Sequence, residues 1–169
     1  MKVINLFGGP GTGKSTTAAG LFNLMKIQGY SVELVTEYAK DLVWGERGQA
    51  FSDPLYMLAK QNHRLHVLQG KVDYIITDSP LLLSNIYTKE GYHSYFASFV
   101  DELYTSYDNI NLFLNRVKPY VEAGRNETEK ESDAVARKIY KLLAGQYAYR
   151  VFDADEGAPK RILEILDVS

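Results

Sequence analysis

The stretch Gly8-Gly9-Pro10-Gly11-Thr12-Gly13-Lys14-Ser15 constrains this chain more than any other. It satisfies the spacing G-x-x-x-x-G-K-[ST] in full. The apolar run Val3, Ile4, Leu6, Phe7 lies directly before it and a segment of helical periodicity directly after, which is the context the motif requires. Glycines let the backbone curl tightly with its N–H groups turned inward, a concave nest for phosphate oxygens. A helix beginning near Lys14 adds N–H donors and partial positive charge at the same spot. Lys14 then reaches the outer phosphates and Ser15 offers its hydroxyl to Mg²⁺. Residues Gly8 to Ser15 together with Thr16 form the expected nucleotide-binding set. The competing reading, a Gly-rich turn with an incidental lysine, does not account for both flanks.

A chain of 169 residues is expected to form one domain, 1–169. Its 46% hydrophobic and 24% charged residues are those of a folded protein rather than a disordered one. The absence of Cys excludes disulfides, thiolate metal sites and cysteine nucleophiles. A net charge of -2 gives no global attraction to nucleic acid, although a local basic strip such as Arg137, Lys138 and Lys141 leaves DNA open as a partner. No apolar run reaches membrane-spanning length, and Met1 to Phe7 is too short for a signal peptide. The expectation is a cytoplasmic protein with no membrane partner. Thirteen Tyr suit packing first and base stacking second.

Along the chain, Lys2 to Phe7 reads as a central strand and Lys14 to about Gln28 as a helix ended by Gly29. Ser31 to Thr36 reads as a second strand. Asp53-Pro54 opens a helix to about Gln69, predicted to bury Leu55, Leu58, Leu65 and Leu68. Tyr74 to Asp78 is a third strand and Asn111 to Leu114 a fourth. Thr128-x-x-Glu131 has the form of a capping box before a helix striped by Val135, Ile139, Leu142 and Leu143. Tyr149 to Phe152 and Ala158 to Leu166 close the chain as strand and helix. This regular alternation predicts an α/β fold with a five-stranded, mainly parallel, doubly wound sheet and helices on both faces.

A phosphate cradle implies a nucleoside triphosphate, and transfer of its phosphoryl group needs further parts. Asp78, leaving an apolar strand, is placed to hold Mg²⁺ with Ser15. The competing reading is a cap for the next helix, with Pro80 two residues on. Glu37 leaves the second strand on the ligand-binding edge of such a sheet, where it can accept or orient a substrate hydroxyl, or simply sit in a surface turn. Arg116 and Arg125 flank a polar segment, about 117–128, suited to a lid that brings guanidinium charge to the phosphates. Met57, Gln61 and Arg64 share a helix face that could line an acceptor pocket or serve packing and ion pairs. His63 and His66 have no third metal ligand in evidence.

The phosphate loop, Glu37-Tyr38-Ala39-Lys40, the strand ending Thr77-Asp78 and the segment Tyr120-Val121-Glu122-Ala123-Gly124-Arg125 together resemble NadR-type ribosylnicotinamide kinases and their bacteriophage relatives. The resemblance spans nearly the whole chain and implies a P-loop NTPase fold with an Arg-bearing lid. It also implies ATP with Mg²⁺ as donor, Lys14 and Ser15 serving phosphates and metal, Asp78 the metal, Glu37 the acceptor and Arg125 the lid. Arg116, read from its place after the fourth strand, completes the expected catalytic set. Ala39-Lys40 stands where those kinases tend to carry Gly-Arg, and Glu122-Ala123 where they tend to carry paired acids, so the acceptor stays open. A nucleoside or nucleotide is the leading expectation. Phage relatives that phosphorylate hydroxymethyluracil in DNA supply a second, and a nucleotide-dependent switch without a small acceptor a third.

Overall fold

Alternation along the first strand decides the layering. In β1 (Lys2–Phe7), Val3, Asn5 and Phe7 point to one face, Ile4 and Leu6 to the other, and all five are buried. A strand covered on both faces belongs in the middle of a parallel sheet. In the computed structural model, which describes residues 1–46, 48–121 and 127–167, it does. The other strands are β2 (Val32–Val35), β3 (Tyr74–Thr77), β4 (Asp108–Asn115) and β5 (Arg150–Asp153). They pair in the order β2-β3-β1-β4-β5, every pairing parallel.

Seven α-helices lie among the described residues: α1 (Lys14–Ile27), α2 (Tyr38–Trp44), α3 (Pro54–His66), α4 (Leu83–Tyr87), α5 (Phe96–Thr105), α6 (Glu129–Gln146) and α7 (Ala158–Asp167). A 3₁₀ turn, Gly48–Ser52, joins α2 to α3. Leu58, Leu65, Val100, Tyr104, Ile139 and Leu143, from α3, α5 and α6, pack with Val3, Phe7, Ile75 and Phe113 on one face. Ala18, Leu21 and Met25 of α1 join Ile162, Leu163 and Leu166 of α7 over Ile4, Leu6, Ile76 and Leu112 on the other. Each fully buried Leu or Ile contributes about 1.5–3 kcal/mol relative to exposure. The predicted doubly wound α/β sheet is therefore the observed one.

The differences from expectation are local. β4 starts three residues early, at Asp108, because its first residues pair with the start of β1. α2 was not expected: Glu37 ends the extended segment and is followed at once by helix. α3 stops at His66 and passes into turns. Leu55, predicted buried, is 48% exposed, because the covered stripe of α3 is Leu58, Gln61 and Leu65. The capping box is present as predicted, the Thr128 hydroxyl accepting from Glu131 N–H and the Glu131 carboxylate from Thr128 N–H. Asn5 is the one polar residue inside β1. Its amide donates to Val3 O and Asn109 Oδ1 in a network with Tyr104 and Asn111, as a buried polar group must. No helix among the described residues is long and apolar enough to cross a membrane.

Candidate active site

Parallel strands all end at the same edge of the sheet, so residues far apart in sequence converge there. β1 delivers the phosphate loop, β2 Glu37, β3 Asp78, and β4 Asn115 and Arg116. The loop's shape follows from its glycines. Gly13, at the N-cap of α1, has φ +105, a region that costs any side chain. A Cβ on Gly9 would stand 2.7 Å from the carbonyl oxygen of Ser132 in α6, so only glycine lets loop and helix touch. The loop is braced from within by Thr12, whose hydroxyl donates to Gly9 O at 2.6 Å, and from outside by Ser132, whose hydroxyl donates to Pro10 O at 2.7 Å. No side chain caps the start of α1, which leaves its first-turn N–H groups at Ser15 and Thr16 for an anionic ligand. Lys14 Nζ donates to Gly8 O and Gly9 O at 2.9 and 3.0 Å, bonds a phosphate can take over.

Ser15 and Asp78 meet. Ser15 Oγ donates to Asp78 Oδ2 at 2.5 Å, and Asp78 Oδ1 is buried with no hydrogen-bond partner. Asp78 does not cap the following helix, since α4 begins at Leu83 with Leu82 at its N-cap. A hydroxyl, a carboxylate and a buried oxygen still lacking a partner are a donor set that fits Mg²⁺, which takes one or two protein oxygens and completes its shell with phosphates and water.

Glu37 lies at the N-cap of α2, but its side chain caps nothing. Water reaches it from the open side, while the protein around it still desolvates the carboxylate. Burial pushes its pKa above the ordinary value, Lys14 and Lys40 pull it down, and Asp78 and Glu127 push it up. Tyr87, at the end of α4, feels the same neighbourhood: burial first, then Glu127 and Glu37, raise its phenol. Glu37, Lys14 and Asp78 thus share one electrostatic site, with Tyr87 and Glu127 at its border. Sequence reading missed Tyr87, which sits at no strand end and in no motif, and took in Glu127 only as part of the segment 117–128.

Arg116 is held differently from expectation. Its guanidinium donates to Glu129 and Asp133 of α6 at 2.9 and 2.7 Å and lies over the ring of Tyr120, 5.1 Å from the centroid. Contact with a phosphate requires it to exchange those carboxylates. It borders a cavity of about 350 Å³ with Thr12, Phe113, Asn115, Ser132 and Asp133, beside the phosphate loop. Arg125, expected to be the second lid arginine, falls outside the described residues. Gln61 and Arg64 take up the packing and ion-pair alternative, both bonding to the segment that carries Glu37. A second groove, of about 290 Å³ between α3 and α5, holds Leu55, His63, His66 and Phe99 and none of the residues that converge at the sheet edge.

A phosphate loop between the central strand and first helix of a parallel sheet, with a buried carboxylate ending the neighbouring strand, defines a P-loop nucleotide-binding α/β domain. The chain belongs to the AAA domain family, whose profile matches residues 3–158. No curated protein matches it. Its structure is similar to that of deoxyadenosine kinase from M. mycoides with bound dCTP, at a TM-score of 0.61 over 100% of both chains with 22% sequence identity. The same values hold for that enzyme with its products dCMP and a flexible dCDP bound. At this identity the likeness is one of fold.

Proposed function

We propose that the chain is an ATP-dependent kinase that moves the γ-phosphoryl group to a hydroxyl of a nucleoside- or nucleotide-type acceptor. The observation that carries this reading is that the charges of both Lys14 and Asp78 reach Glu37, a neighbourhood that suits a carboxylate serving an acceptor hydroxyl next to a phosphate-binding lysine and a metal-binding aspartate. The same carboxylate could orient a water instead, which is why the acceptor panel below is the deciding test. The kinase fold of the M. mycoides structures and the NadR-type likeness of the loop, Glu37-Tyr38 and Thr77-Asp78 agree with it.

The chemistry divides among these residues. Lys14 leaves Gly8 O and Gly9 O to neutralise the β- and γ-phosphates. Ser15 and Asp78 would hold Mg²⁺, which when bound supplies positive charge across the phosphates. Glu37 accepts the acceptor's hydroxyl proton as that oxygen bonds to the γ-phosphorus and the bond from phosphorus to the β-phosphate oxygen breaks, releasing ADP. Arg116, and Arg125 from the segment 117–128, add charge when that segment closes over the phosphates.

Transfer of labelled γ-phosphate to a panel of free nucleosides, nucleoside monophosphates and hydroxymethyluracil-containing DNA tests this. Labelling of a nucleoside or nucleotide supports it. Labelling of the DNA alone reassigns the acceptor, a result the exposed Arg137, Lys138 and Lys141 of α6 would help to explain. ATP hydrolysis that no acceptor accelerates makes the protein a switch.

A further inference from the structure

We propose that Gln61 is a positioning residue that grips the peptides on both sides of Glu37 and so sets where that carboxylate stands. The inference rests on the kinase reading and concerns a residue whose helix face had suggested a substrate pocket instead.

Gln61 is buried, 7% exposed, on the covered stripe of α3 between Leu58 and Leu65. A buried amide must find partners for its oxygen and its nitrogen or pay for their desolvation. It finds them one residue to either side of Glu37. Its Oε1 accepts from Tyr38 N–H at 2.9 Å, and its Nε2 donates to Thr36 O at 3.4 Å. The orientation of the amide follows from the partners, since an N–H can only donate and a carbonyl can only accept. The first bond satisfies a first-turn N–H of α2 that the Glu37 side chain leaves uncapped. Arg64, one turn further along α3, repeats the grip: its guanidinium donates to Thr36 O at 3.1 Å, pairs with Asp41 of α2 and covers the Tyr38 ring at 5.2 Å.

This arrangement solves a mechanical problem. Glu37 follows the edge strand β2 and precedes a seven-residue helix, with only strand β3 beside it in the sheet. Its carboxylate must nevertheless hold a fixed place against Lys14 of α1 and Asp78 after β3, with Lys40 of α2, Glu127 before α6 and Tyr87 of α4 around it. Two hydrogen bonds from one rigid amide fix the backbone of residues 36–38, and a carboxylate on a fixed backbone has few places to go. A displacement of about 1 Å at such a group can cost on the order of 100-fold in rate.

The test compares wild type with Gln61→Met, which keeps length and volume but has no amide, and Gln61→Glu, which keeps an acceptor for Tyr38 N–H. Three readouts apply. Gln61→Met should lower kcat by about 10–100-fold with the KM for ATP changed less than about twofold, and the same substitution in a Glu37→Gln background should cost almost nothing more. The Tyr38 amide should exchange with solvent about fivefold faster or more in Gln61→Met and remain protected in Gln61→Glu, the change expected on losing one hydrogen bond. The Glu37 carboxyl, followed by NMR, should titrate closer to an ordinary carboxylate once it is no longer held. Equal rate losses with and without the Glu37 carboxylate, or an unchanged Tyr38 exchange rate and Glu37 titration, would overturn the proposal. The exchange and titration readouts need no turnover. A wild type that transfers phosphate to nothing defeats the kinase reading while these two still decide the grip, and Gln61→Leu, which also lacks the amide, serves if Gln61→Met does not fold.

Discussion

Ser15 Oγ and Asp78 Oδ2 are 2.5 Å apart, a hydrogen bond that ties the first turn of α1 to the end of β3 across 63 residues of sequence. The pairing leaves Asp78 Oδ1 buried and unpartnered, so the carboxylate is only half satisfied by the protein. Groups in that condition are poised for a cation. Ser15→Ala removes the hydroxyl and should weaken nucleotide binding about 10–100-fold in the presence of Mg²⁺, by analogy with losses at metal-supporting groups. Binding measured in EDTA should change much less. Titration of a fluorescent ATP analogue with and without the metal checks both halves, and equal weakening in each would remove Ser15 from the metal's shell.

Replacing Glu37 separates binding from transfer. Glu37→Gln should keep ATP affinity and lower kcat by about 10²–10⁴-fold, the range for loss of a positioned base. Isothermal titration beside a transfer assay reads the two effects apart, and unchanged transfer would take Glu37 out of the mechanism.

The pH dependence follows from the same carboxyl. Burial raises its pKa above 4.5 in the folded protein. Because the base must be ionised to accept a proton, kcat/KM should fall as pH drops through that raised value, a limb that Glu37→Gln should abolish. The sign for stability is opposite. Between the ordinary and the raised pKa the folded state binds more protons than the unfolded, so this group costs stability as pH rises through that window. Glu37→Gln should therefore melt higher than wild type at neutral pH and lose the advantage below about pH 4, where both forms are uncharged. Calorimetry at the two pH values decides it.

Gly9→Ala should destabilise the fold by about 1–3 kcal/mol, the usual cost of overpacking, since its Cβ meets the backbone of α6 at 2.7 Å. It should also impair nucleotide binding, because the loop is braced there through Pro10 O and Ser132. Urea denaturation reads the first effect, and a wild-type midpoint would show that α6 is not seated on the loop.

Thr128→Ala removes the cap of α6 and should cost about 0.5–2 kcal/mol. The Glu131 carboxyl, held below its ordinary pKa by the backbone and hydroxyl of Thr128, should titrate higher in the variant. NMR titration of Glu131 tests this separately from stability.

Local chemistry was the part of this protein open to a reader of the sequence. Gly8 to Ser15 announces a phosphate site because its glycines and lysine act on their own neighbours. Thr128 and Glu131 announce a helix start for the same reason, and Val3 to Phe7 declares a strand buried on both faces. Asp78 and Glu37 were legible once the strands were, since parallel strands end at one edge. Gln61 was not. Its helix periodicity showed which residues share its face, and only the folded chain shows that this face meets the backbone around Glu37.

The chain's own order of residues determined that a triphosphate-shaped nest follows the first strand and that strands and helices alternate into a doubly wound sheet, because glycine torsions, helix caps and apolar periodicity act over a few residues. The tertiary structure alone decided that β1 lies between β3 and β4, that Leu55 stays in water while Gln61 does not, and that Arg116 rests on Glu129 and Asp133. These outcomes depend on which surfaces meet and which buried polar atoms find partners. Such competition is settled among contacts spread over the whole chain, and no stretch of sequence contains it.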